Sequence, residues 1–186
     1  MKSIDQDKAE RIRHNLDKPI VMIGLMGAGK TRIGRALADA LELPFKDSDH
    51  EIEKAAGMAV SDIFEKFGET DFRQGEHRVI NRLLSKKIRI IATGGGAVMT
   101  PATADLIWSK AISIWVRADM DIMVERVGRT DKRPLLKDKD PEGVLGELAD
   151  KRYPVYEKAD IVIDSHNGPV EAILNQTIDK LYDFLK

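Results

Sequence analysis

Eight consecutive residues, GLMGAGKT (24–31), constrain this chain more than any other segment. They match the Walker A pattern, in which a glycine and four further residues precede glycine, lysine and serine or threonine. They also stand where that pattern requires, after the β-branched run IVMI (20–23) and before an amphipathic stretch. Glycines at 24, 27 and 29 let the main chain approach an anion closely, so successive amides can point inward as a nest for oxygen. The following helix adds its positive end, Lys30 can reach the outer phosphates, and the Thr31 hydroxyl can ligate magnesium. The motif therefore predicts a bound nucleoside triphosphate. It does not say what becomes of the phosphate.

The rest of the chain supplies the frame. Short β-branched or apolar runs, IVMI (20–23), PF (44–45), IRIIA (88–92), AISIWV (111–116) and DIVI (160–163), alternate with helical patterns. Such alternation predicts an α/β fold with about five buried parallel strands. Ile33, Leu37, Ala40 and Leu41 share one helical stripe after Lys30, and Val170, Ile173, Leu174, Leu181, Tyr182 and Leu185 share another near the end. Prolines at 101, 141 and 169 mark helix starts, because a first helical turn has no amide bond to lose there. A long helical insertion, about 48–87, carries an apolar stripe of Phe72, Val79, Ile80 and Leu83, with Ser61 as its expected cap. The polar stretch at about 128–140 reads as a flap. Residues 1–18 form a charged arm, a short surface helix or partly disordered segment with Ile4, Ile12 and Leu16 for packing, ahead of one domain over 19–186.

Composition narrows the function classes. With 186 residues, 42% of them hydrophobic, the chain suits one compact domain. A net charge of −1 gives no broad grip on nucleic acid. The absence of cysteine removes disulfides, thiol catalysis and thiolate metal sites, and His14, His50, His77 and His166 lack ligand spacing. Apolar runs fall far short of the roughly 20 residues that span a bilayer, and the N-terminus is too charged for a signal peptide. A cytoplasmic protein with neither nucleic-acid nor membrane partners is expected.

Three phosphate-using classes compete: a small-molecule kinase, a GTP switch and a motor ATPase. No Asn-Lys-x-Asp guanine reader occurs, and DIVID, ending at Asp164, lacks the second acid of a motor strand; Asp164 reads as a turn residue closing the last strand. A kinase leads. KDSD (46–49) offers carboxylates at i and i+2, on one side of an extended chain, where one can organise magnesium water and the other accept a hydroxyl proton; the same residues also make ordinary loop or cap sequence. Arg73 and Glu76 share a helical face. As a surface pair they contribute only ~0.5 kcal/mol, but a guanidinium so held is also a carboxylate receptor. TGGG (93–96) is either a flexible turn or a backbone platform for a substrate ring. Arg126, Arg129 and Arg133 cluster at the flap, where an arginine can neutralise the charge of a group in transfer, and Arg152 lies on the helix beyond.

Taken in order, GLMGAGKT, Asp47-Ser48-Asp49, FRQGE (72–76), GGGAV (94–98), RPLL (133–136) and KRYPVY (151–156) make the chain resemble shikimate kinases, within the nucleoside-monophosphate-kinase-like P-loop group. The resemblance covers nearly all of the chain from about Ile20 to Leu181. It implies ATP-dependent phosphorylation of the 3-hydroxyl of shikimate in aromatic amino-acid biosynthesis. It further implies a three-layer fold with strand order 2-3-1-4-5, a helical acceptor-binding insertion and a lid. By that similarity Asp49 binds the ring hydroxyls and acts as base, with Lys30 and Arg133 completing the catalytic set, while Asp47 supports Mg2+ through water beside Thr31. Arg73, Arg152 and Gly94, Gly95 and Gly96 hold the acceptor. Gly27, Ala28, Gly29, Lys30, Thr31, Arg32, Arg126, Arg133 and Asn167 contact ATP, with Arg126 against the adenine. A monomer is expected. The alternatives are a gluconate-type kinase, which shares the sheet and loop but not the Arg73, triple-glycine and RPLL set, and a non-catalytic nucleotide-binding regulator. Retention of Lys30, Asp49 and Arg133 together argues against the regulator.

Overall fold

Strands β1 (Ile20–Ile23), β2 (Phe45–Asp47), β3 (Ile90–Ala92), β4 (Ile112–Ala118) and β5 (Ile161–Ser165) form one parallel sheet in the order β2-β3-β1-β4-β5. The structure, a computed structural model, describes residues 5–85, 87–128 and 140–186. The predicted flap, with Arg129, Arg133 and RPLL, lies outside the described residues but for its two end positions. The central strand β1 is buried along its whole length, which is why its sequence is a continuous apolar run rather than an alternating one. Register aligns Asp47 with Ala92 and Ile23 with Trp115, so the segments that follow β1, β2 and β3 emerge together at one edge of the sheet.

Helices α2 (Lys30–Ala40) and α8 (Val170–Phe184) bury the predicted stripes, including Ile33, Leu37, Ile173, Leu174 and Leu181. The insertion consists of α3 (Ser48–Ala56) and α4 (Val60–Leu84), whose Phe72, Val79, Ile80 and Leu83 are buried. Gly68, at φ 80° and ψ 174°, kinks α4 and divides it in two. α5 (Pro101–Lys110), α6 (Met120–Gly128) and α7 (Pro141–Tyr156) complete the described crossovers. The N-terminal arm contains α1 (Gln6–Asn15), which buries Ala9 and Ile12 and is tied to α8 by Lys8 with Asp179 and by Arg11 with the Tyr182 hydroxyl.

Several local expectations are corrected. β2 is Phe45–Asp47, one position later than PF. Ser61 does not cap α4: the helix starts at Val60, whose amide is taken by the Glu53 carboxylate at 3.0 Å, and Ser61 bonds Asp62 within the first turn. Pro169 precedes α8 as its flanking residue, because its ψ of 138° is extended rather than helical. Asp164 is not a turn residue; it lies inside β5 opposite Arg117, with which it pairs at 2.8 Å.

Candidate active site

The edge of the sheet where these segments emerge floors an open cleft of about 2110 Å³. At one end lies the 24–31 loop. Gly24 has φ 140°, and a Cβ there would stand 2.4 Å from the Val116 carbonyl oxygen, so only glycine lets the chain leave β1 this close to β4. Lys30 is buried, its ammonium 2.8 Å from the carbonyl oxygens of both Gly24 and Leu25, which holds it in the loop's mouth. Gly27, Gly29, Thr31 and Arg32 line the cleft, whereas Ala28 is buried and is not among its lining residues.

Arg126, from α6, closes the outer side of this loop. It donates to the carbonyls of Gly27 and Ala28 at 3.1 and 3.3 Å, to the Ser165 hydroxyl at 3.1 Å and to the His166 carbonyl at 3.0 Å. Asn167 donates to Glu125 at 3.4 Å and Arg32 to the Gly168 carbonyl at 3.5 Å, so the loop after β5 adjoins the start of α2 and the end of α6.

Asp47 and Asp49 do not share an extended chain. Asp47 ends β2 and caps α3, accepting from the amides of Asp49 at 3.1 Å and His50 at 3.5 Å, which places Asp49 in the first helical turn. Both still face the cleft. The other Asp47 oxygen accepts from the Thr31 hydroxyl at 3.0 Å. Ser48 between them is fully buried, and its hydroxyl accepts from the Gly94 amide at 3.2 Å, locking α3 to the triple-glycine turn.

That turn explains itself in side-chain terms. A Cβ on Gly94 would lie 2.9 Å from Asp49 Oδ1, one on Gly95 would lie 3.0 Å from Arg152 Nη1, and one on Gly96 would lie 2.3 Å from Arg73 Nη2. The three glycines are therefore the floor on which three converging functional groups rest, and not merely a bare platform for a substrate ring. Arg73 is held between Glu76, at 2.7 Å and 1% exposed, and the exposed Glu69 at 3.2 Å. Arg152 is buried on α7, and the Tyr156 hydroxyl one turn later donates to the Gly95 carbonyl.

Electrostatics single out Asp49. Burial and the neighbouring Asp47 push its carboxyl above the usual range, with Lys30 and Arg73 opposing them. Burial raises the Glu76 carboxyl too, against the pull of Arg73. Asp49 Oδ1 and Glu76 Oε1 are buried oxygens without a hydrogen-bond partner among the described residues, and both lie near where a Gly94 Cβ would project, at 2.9 and 3.3 Å.

The chain as a whole is similar to known proteins. The family model described as shikimate kinase matches residues 26–182. A curated shikimate kinase from Rhodopseudomonas palustris is 50% identical over 169 residues, covering 91% of this chain and 83% of its own length. The chain belongs to the shikimate kinase family. A solved shikimate kinase from Acinetobacter baumannii, in complex with shikimate, superposes with a TM-score of 0.84 at 37% identity, covering 87% of this chain and 91% of that one. A gluconokinase from Sinorhizobium meliloti reaches a TM-score of 0.58 at 15% identity, over 90% of this chain and 93% of its own, and shares the fold alone.

Within this shikimate kinase family member, one cleft collects Gly27, Gly29, Lys30, Thr31, Arg32, Asp47, Asp49, Arg73, Gly94, Gly95, Gly96, Arg126, Arg152 and Asn167. Sequence reasoning missed Ser48, Glu53, Glu69 and Tyr156. Glu69 stands four residues before Arg73 and Tyr156 four after Arg152, so helical spacing could have flagged both. Nothing in the sequence marks Ser48 or Glu53.

Proposed function

We propose that the chain transfers the γ-phosphoryl group of ATP to the 3-hydroxyl of shikimate, with Asp49 as the proton acceptor. Family membership makes it a kinase with ATP as co-substrate. The observation that carries the residue assignment is the pair of unpartnered buried oxygens, Asp49 Oδ1 and Glu76 Oε1, near Gly94. The hydroxyl groups of a polyol acceptor would supply the missing donors, and a carboxylate whose proton affinity is raised by burial is suited to take a hydroxyl proton.

In this reading the loop amides and Lys30 hold the triphosphate, Arg126, Arg32 and Asn167 flank the nucleoside, and Arg73 and Arg152 receive the acceptor's carboxylate. By the family resemblance, Arg133 would meet the transferred group. Proton transfer to Asp49 accompanies attack of the acceptor oxygen on phosphorus, and the leaving oxygen remains on ADP. Most of the barrier is lowered by positioning and by charge around the transferred group.

Magnesium fits the residues present. The Thr31 hydroxyl and the Asp47 carboxylate stand 3.0 Å apart as hard oxygen donors beside the loop. No cluster of three or more acidic, histidine or cysteine side chains occurs among the described residues, so phosphate oxygens and water would complete the shell. When bound, the ion would neutralise phosphate charge, with Thr31 as direct ligand and Asp47 acting through water. The enzyme is proposed to act as a cytoplasmic monomer without nucleic-acid or membrane partners; no described helix is long and apolar enough to cross a membrane.

A coupled assay of ADP release tests the reading, with shikimate and gluconate as separate acceptors. Release that depends on shikimate and is absent with gluconate is expected. Release at one rate with or without acceptor, or with gluconate alone, would overturn the assignment.

A further inference from the structure

The two guanidinium groups at the acceptor end are held by different chemistry. Arg73 lies between two carboxylates, and each neutralises part of its charge. Arg152 is 8% exposed and makes no ion pair among the described residues, although its charge acts through space on the buried Glu76 carboxyl. Tyr156 follows it by four residues, on the same face of α7, and reaches the same glycine, Gly95.

Tyr156 is fully buried, with Trp115 at 5.8 Å and Tyr153 at 6.3 Å between ring centroids, so its hydroxyl has one location. From there it donates to the Gly95 carbonyl. Gly95 is also the residue on whose absent Cβ the Arg152 guanidinium rests, at 3.0 Å. Phenol, glycine peptide and guanidinium thus form one contact set. A cation in direct ion pairs has little field left for a third charge, whereas one seated on a neutral peptide without a direct carboxylate partner keeps more of it. Burial pushes the phenol up to about 12, against the pull of Arg152, so it remains a neutral donor at working pH.

We infer that Tyr156 is a positioning residue: it fixes Arg152 and the Gly95 peptide as one receptor and leaves the arginine's charge available to the acceptor's carboxylate. This rests on the reading of Arg152 as an acceptor contact. Tyr156→Phe keeps the ring and removes the oxygen. The variant should raise the KM for shikimate about tenfold while kcat and the KM for ATP stay within about twofold. The penalty should vanish for a shikimate analogue whose carboxylate is replaced by hydroxymethyl.

An unchanged shikimate KM, an equal penalty on both acceptors, or a shared loss in kcat and ATP binding would overturn the inference, the last two because they mark a merely structural role. Arg152→Ala, run alongside, separates the failures: if it leaves the shikimate KM unchanged, the acceptor role of Arg152 is what fails. A fluorine NMR probe, 3-fluorotyrosine at position 156, covers the case in which the phenylalanine variant does not fold. Its resonance should shift with shikimate and not with the hydroxymethyl analogue; no shift with shikimate would overturn the proposal.

Discussion

The two ends of the cleft are made of different material. At the proposed phosphate end the binding groups would be main-chain amides and one ammonium of a single loop, whose geometry is set by glycine and by contact with β4. At the proposed acceptor end side chains converge instead, Asp49 from α3, Arg73 and Glu76 from α4, and Arg152, with Tyr156 behind it, from α7, assembled on the three glycines after β3. A backbone nest tolerates variation in its side chains but accepts one kind of ligand. A side-chain assembly can select among acceptors, and it depends on packing that one methyl group can upset. The two ends should therefore fail separately.

The largest break is expected at Asp49. Asp49→Asn keeps the shape and removes proton acceptance, so turnover should fall roughly 100-fold or more in steady-state assays while ATP still binds. The wild-type pH profile should lose activity, as pH falls, through a limb lying above the ordinary carboxylate range, and the variant should lack that limb. Stability should move the other way. A carboxyl whose folded-state pKa is raised contributes stability below its unfolded pKa and loses it as pH rises through the folded one. At neutral pH the asparagine variant should melt a few degrees higher than wild type, with the gap closing in acid. Equal or lower melting temperature at neutral pH would show that the ionised group is not under strain.

Gly96→Ala sharpens the contrast on a smaller scale. The new Cβ would stand 2.3 Å from Arg73 Nη2 and 2.8 Å from its Cζ, forcing the guanidinium off its seat. The shikimate KM should rise about fivefold with the ATP KM unchanged, as initial-rate kinetics would show. A rise in both constants would mean that the turn serves the two ends jointly.

The same contrast explains what could be read before the fold was known. The nest is local, so its eight residues and their flanking periodicities were enough to place strand, loop and helix. The acceptor end is spread along most of the chain, and each piece alone had a bland alternative; only their order made a pattern. The details that escaped are tertiary. Glu53 caps α4 from the preceding helix, so Ser61 was a reasonable but wrong cap. Asp164 is held in its strand by a cross-strand arginine that no short window contains. Gly68 kinks α4 ahead of its apolar stripe, a break that the periodicity from Phe72 onward does not register. Ser48 and Tyr156 act through buried hydroxyls, whose partners are main-chain groups of the glycine turn.

Isothermal titration of ATP and of shikimate into Arg73→Ala tests the separation of the two ends most directly. ATP affinity is predicted to stay within about twofold of wild type while shikimate binding weakens by roughly tenfold or more. A fall in ATP affinity alongside that of shikimate, or shikimate binding that survives intact, would contradict it.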